Sequence, residues 1–207
     1  MNGGNGVFGG CLMFRVLLAV VLVPVLAGCV TTSNTLSPEQ VASFRLAGVN
    51  VGFARDASVS WADGEQAYAQ SKRVAALNPE MVANDPEAQA FIRNTVAAKV
   101  KGAMQERLAA QLTGARPVRA EVTVREFLTS SVVQRVIIGG SHAMIGDVNL
   151  VDAKTGETLV AYPRLTSLAA AGQGVLGTLV DKAFMDEPID RVTEAFARQY
   201  SVWLLRK

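Results

Sequence analysis

Few side chains in this 207-residue sequence are equipped for chemistry. There are two cysteines, Cys11 and Cys29, and one histidine, His142. Ser141 precedes His142, but nucleophilic catalysis needs a hydroxyl and an imidazole that meet in space beside an orienting acid. Gly139-Gly140-Ser141-His142-Ala143 does not form the G-x-S-x-G of a nucleophile elbow, so His142 is expected at a strand end. A metal site on His142 would need further donors, and no cysteine is at hand. Gly172-Gln173-Gly174-Val175-Leu176-Gly177 has the spacing G-x-G-x-x-G, which cradles a dinucleotide pyrophosphate when it opens a helix in a βαβ unit. Only 30 residues follow Gly177 and they read as helix, which leaves no next strand to carry a ribose-binding acid. A glycine-rich connector is expected there, or an apolar lid or contact surface over residues 169–180. Asp186, Glu187 and Asp190 cluster at a helix start, where carboxylates favour the dipole. Arg116, Arg119 and Arg125 are spaced along a strand, with Arg119, Glu121 and Arg125 on one solvated face. Trp61 and Trp203 read as core or edge aromatics. No catalytic, cofactor-binding or metal-ligating residue is assigned, and no cofactor is expected.

The remaining chemistry is the thiol of Cys29. Arg15 precedes an uncharged 13-residue run over 16–28 that ends in small residues. A charge, an apolar core and small residues is the order of a signal peptide. A membrane-spanning helix needs about 20 apolar residues, and Pro24 weakens a helix near its end. Leu26-Ala27-Gly28-Cys29 resembles the lipobox of bacterial lipoproteins at every position. The resemblance implies cleavage between Gly28 and Cys29 and two or three acyl chains on Cys29, enough for stable anchoring. Val30 stands where enterobacterial lipoproteins retained on the inner membrane carry Asp, which by analogy favours the outer membrane. Residues 1–12 fit a signal poorly, and a start at Met13 would make a tighter one.

Cleavage before Cys29 leaves 179 residues, the size of one domain with a tether. Loss of Arg15 lowers the formal charge from +2 by one, which is no electrostatic footprint for nucleic acid. Cys11 leaves with the signal, so stability must come from the core and not from disulfides. The expected organisation is a signal over 1–28, a lipidated Cys29 with a flexible tether to residue 42, and one α+β domain over 43–207. Fully extended, its polar stretch over residues 30–40 would reach about 35 Å.

The elements that position these residues follow from periodicity. Alternation over 44–53 predicts a first strand, which Val59 and Trp61 extend or follow. Asp63-Gly64 is a turn signal, and residues 66–77 suit a short helix. Asp85 and Pro86 start a long helix. Its stripe is Ile92, Val96, Val100, Met104, Leu108 and Leu112, and Gly114 is the expected C-cap. Residues 118–128 alternate Val118, Ala120, Val122 and Val124 with polar neighbours, the pattern of a strand with one buried and one wet face. Residues 129–138 read as strand or extended loop. Residues 143–151 and 157–165 form a hairpin around Asp152-Ala153-Lys154-Thr155-Gly156. Val192, Phe196, Tyr200, Trp203 and Leu204 mark an amphipathic last helix. The predicted fold is an antiparallel sheet of about four strands covered on one face by two main helices.

The stretch from Val148 through that Asp-x-x-x-Gly hairpin to Leu159 resembles small envelope lipoproteins of unknown function, common in alphaproteobacteria and related groups. The likeness runs roughly from the first strand to the end, and it implies a fold and a compartment. Together these readings describe a protein held on the membrane by acyl chains on Cys29, outer and facing the periplasm. It would serve as a binding or assembly module without catalysis, with an envelope protein as partner. An envelope hydrolase or small-ligand binder built on Ser141 and His142, or on the 172–177 loop, is the alternative.

Overall fold

The structure, a computed structural model, describes residues 32–73, 85–129, 141–170 and 187–207. Gly28, Cys29, the glycine stretch at 172–177 and Asp186 lie outside these residues. The chain divides into two units, residues 1–31 and 32–207, and everything that follows concerns the second. Its elements are α1 (Pro38–Ser43), β1 (Phe44–Trp61), α2 (Ala62–Ser71), α3 (Pro86–Ala109), β2 (Arg116–Thr129), β3 (Ser141–Asp152), β4 (Thr158–Ala170) and α4 (Pro188–Leu205).

Asp85 caps α3 through its carboxylate, which accepts the Glu87 N–H at 2.9 Å, and Pro86 takes the first helical position. Ile92, Val96, Val100, Met104 and Leu108 are at most 1% exposed. Residues four apart share a helix face, so this row is the side of α3 that enters the core. In α4, Val192, Phe196, Tyr200 and Leu204 repeat the pattern and are fully buried. The inward rows of the strands meet them: Val118, Ala120, Val122 and Val124 on β2, and Met144, Val148 and Leu150 on β3. A Cβ at Gly146 would stand 3.3 Å from the Phe196 ring, which measures how closely α4 lies on β3.

The sheet is mixed, in the order β1-β2-β3-β4. β2–β3 and β3–β4 are antiparallel, as expected, but β1 and β2 are parallel, with Val49 opposite Ala120 and Trp61 opposite Thr129. The all-antiparallel expectation is corrected here, and the connection supplies the reason. The 24 residues of α3 cover about 36 Å at 1.5 Å each. They carry the chain back to the end where β1 began, so β2 must start beside Phe44 and run the same way. An alternating strand with one wet face reports which side is buried and says nothing of its neighbour's direction.

One local reading is settled and two change. β1 continues without a break to Trp61. Asp63-Gly64 is not a turn between elements, because both residues sit in the first turn of α2. A Cβ at Gly64 would run into the Trp61 indole, so glycine admits that ring against the helix. Gly114 does not cap α3, which ends at Ala109 with Ala110 as its C-cap. Gly114 instead presses against the α1–β1 junction: a Cβ there would collide with the Ser43 carbonyl group and stand 2.5 Å from the Ala42 oxygen. Its N–H donates to the Phe44 carbonyl at 2.7 Å.

The presumed tether also departs from its composition. Ser37 and Gln40 form a complete capping box for α1: the Gln40 N–H donates to Ser37 Oγ, and the Ser37 N–H donates to Gln40 Oε1. Leu36, Val41 and Phe44 are buried in the main core. Folding therefore reaches back to Thr32, well inside the span read as tether.

Candidate functional site

His142 sits on the inward row of β3, between Thr129 of β2 and Ala169 of β4, and is 0% exposed. Ser141 opens the same strand, paired through its backbone with Ala170. Asp190 lies on α4 and is tied to α3 by an ion pair with Lys99 at 2.7 Å, while Glu187 stands exposed at the N-cap position. The helix-start cluster thus splits, with one member serving as a clamp between helices.

The three arginines are all paired. Arg116 meets Asp152 at 2.9 Å, Arg119 meets Glu121, and Arg125 meets Asp147 at 2.6 Å. Asp147 also accepts the backbone N–H of Arg164 at 2.9 Å. The Arg125 guanidinium, aided by that N–H and by the nearby charges, holds the Asp147 carboxyl below the usual carboxylate range. Asp152 is likewise lowered, first by the Lys154 N–H and then by Arg116. Its Oδ1 accepts the N–H groups of Lys154 and Thr155, closing the hairpin, and Gly156 takes φ +76°. A left-handed residue in such a turn suits glycine. Arg119 with Glu121 and Arg125 with Asp147 brace the outer sheet face, while Arg116 and the buried Asp152 close the sheet end where β2 starts and β3 finishes. Among the described residues, no group of three or more His, Cys, Asp and Glu side chains could hold a metal.

A denser arrangement, which the sequence did not single out, lies where the chain enters the domain. Trp203 Nε1 donates to the Thr32 carbonyl at 2.8 Å. Asn34 Nδ2 donates to the carbonyls of Trp203 and Leu204, at 3.1 and 3.0 Å, and its Oδ1 accepts the Leu36 N–H. Arg206 Nη2 donates to the carbonyls of Asn34 and Leu36, at 2.7 and 2.8 Å. The last carbonyls of a helix have no partner within it; here Asn34 supplies donors for two of them. The Trp203 ring stands edge-on to Tyr162 at 4.7 Å between centroids. Residues 32–36 are thereby strapped along the end of α4. The Ser-Pro-Glu-Gln run at 37–40 was the available signal, since S-x-x-Q is a capping box and marks a helix start.

Beside the strap, the C-terminal ends of α3 and α4 border a groove of about 170 Å³ lined by Arg107, Arg198, Val202, Leu205 and Lys207, among others. Farther along the same helix pair a groove of about 350 Å³ is lined by Ala103, Glu106, Arg107, Glu194 and Ala197. Among the described residues, no helix is long and apolar enough to cross a membrane.

What these features define is an α+β domain with a mixed four-stranded sheet, braced outside by ion pairs and fastened to its own N-terminal strap. Residues 85–204 match the Family of unknown function (DUF6778), and the chain belongs to that family. No curated protein matches it. Among solved structures it is similar to a candidate lipoprotein from Caulobacter crescentus, at 14% identity and a TM-score of 0.36, over 54% of this chain and 81% of that one. A PelC dodecamer from Paraburkholderia phytofirmans aligns at 10% identity and a TM-score of 0.37, over 86% and 95%. Lipoprotein GNA1162 from Neisseria meningitidis aligns at 20% identity and a TM-score of 0.26, over 68% and 94%. Likenesses at this level assign no activity.

Proposed function

We propose that the protein is a lipid-anchored component of the cell envelope. Acyl chains on Cys29 hold it to the outer membrane facing the periplasm, and it works there as a binding or assembly module. The observation that carries this reading is the meeting of two features. Leu26-Ala27-Gly28-Cys29 is lipobox-like, and the folded domain takes hold of the chain three residues later, at Thr32, with a dedicated strap. A domain that grips its own start beside the lipidation point is suited to bear an anchor. The hydrolase alternative would have to work through a His142 that is fully buried.

Membrane fractionation of wild type and Cys29→Ala, with intact mass of the purified protein, tests the proposal. The expected result is a lipid-sized increment on Cys29 in the wild type, with membrane association lost in the variant. A soluble, unmodified wild-type protein would refute the anchor.

A further inference from the structure

We infer that the groove between the C-terminal ends of α3 and α4 lies on the bilayer, with Arg107, Arg198 and Lys207 engaging the phosphates of anionic phospholipid headgroups. The inference rests on lipidation of Cys29. It goes further by naming which end of the domain meets the membrane, and through which side chains.

Three observations converge on this end. The first is reach. Two residues separate Cys29 from Thr32, so three steps of about 3.5 Å limit the reach between them to roughly 10 Å. Thr32 is fixed by Trp203, on the last turn of α4. Acyl chains on Cys29 therefore bring that turn to the headgroups, instead of leaving the domain free on a long leash.

The second is charge. Arg107, Arg198 and Lys207 are exposed and line the groove, and among the described residues no Asp or Glu lines it with them. Two helix C-termini present about half a negative charge each, which three cations exceed. Dipole compensation alone therefore does not account for all three. Arg206, beside them, is engaged with the strap carbonyls and does not enter this balance.

The third is the apolar component. Val202 is 48% exposed and lines the groove with these cations, as does half-buried Leu205. Cations around an exposed aliphatic side chain match the boundary of an anionic bilayer, where phosphates lie above the first methylenes. The opposite end of the sheet, at Ser60 and Leu128, lies twelve β2 residues beyond Arg116, about 40 Å at 3.3 Å per strand residue.

The mature lipidated protein gives a direct test, because Cys29 is blocked by lipid and Cys11 is removed with the signal. Single labels at Val202→Cys and Ser60→Cys are compared in vesicles of phosphatidylethanolamine with phosphatidylglycerol carrying a headgroup nitroxide quencher. The Val202→Cys label should be strongly quenched and the Ser60→Cys label hardly at all. Phosphatidylcholine vesicles carrying the same density of quencher should weaken the Val202→Cys quenching. Arg107→Gln, Arg198→Gln and Lys207→Gln should each lower the docked population about fivefold on the anionic vesicles. Equal quenching of the two labels on lipidated protein overturns this inference and leaves the anchor standing. Val202→Cys quenching indifferent to lipid charge and to the three substitutions overturns it as well. An intact mass without lipid on Cys29 removes the anchor and this inference together.

Discussion

Gly114 offers a sharp test of how the domain closes. Its place after the long helix suggests a C-cap, and loss of a C-cap glycine acts on the helix end alone. The structure assigns it a different job. The Gly114 N–H bonds to the Phe44 carbonyl at 2.7 Å, and its α-carbon faces the backbone of Ala42 and Ser43. In Gly114→Ala the new methyl would stand 2.5 Å from the Ala42 oxygen, about an ångström inside ordinary contact. The obstructing atoms are backbone, so no rotamer change relieves them. Either the α1–β1 junction shifts or the loop before β2 does, and forced overpacking of this kind costs about 1–3 kcal/mol. For a domain of this size that is about 2–4 °C of melting temperature per kcal/mol. Gly48→Ala is the matched control, since a Cβ at Gly48 meets nothing within 4 Å. It should be neutral or slightly stabilising, because alanine in a strand loses less entropy on folding. Urea unfolding followed by circular dichroism measures both. The reasoning is refuted if Gly114→Ala unfolds within about 0.5 kcal/mol of wild type, the range of an ordinary surface substitution.

Two further outcomes follow from the outer sheet face and the strap. Asp147 has a depressed carboxyl pKa in the folded protein. Its stabilising contribution is present above the unfolded value of about 3.9 and is lost as pH falls through the lower folded value. Asp147→Asn should therefore cost about 0.5–1 kcal/mol at neutral pH, in the range of partly exposed ion pairs. It should also flatten, but not abolish, the loss of stability in acid, because Asp152 is lowered too; a pH series of urea midpoints that superimposes on wild type would count against it. Asn34→Ala removes two donors from the last carbonyls of α4 and should cost about 1–2 kcal/mol at roughly 1 kcal/mol per bond. Amide exchange at residues 32–36 should accelerate and Trp203 emission shift to the red; unchanged exchange would mean the strap is held by other contacts.

Much of the fold was legible because the relevant signals are local. The four-residue spacing from Ile92 to Leu108 names a helix and its buried side without reference to anything else. The alternation from Val118 to Val124 does the same for β2, and Asp152 with Gly156 encodes its own turn. The lipobox-like run ending in Cys29 is read in the same way, from residues next to one another. Where local signals erred, a close neighbour's bulk or a distant segment had intervened. Asp63-Gly64 looks like a turn until the Trp61 ring needs room beside it, and Gly114 looks like a cap until the α1–β1 backbone is placed against it.

The sequence by itself determined which faces are buried, where the long helices start and that only one histidine is available for chemistry. Tertiary structure decided the rest. It made β1 and β2 parallel, because α3 returns the chain to its starting end. It buried His142, at the start of β3, between β2 and β4. It turned residues 32–36 from an apparent tether into a strap on α4, joining residues about 170 positions apart in the chain. Periodicity reports how a segment relates to its own neighbours. Direction, pairing and closure depend on segments far away in sequence, and they are settled only when the core brings those segments together.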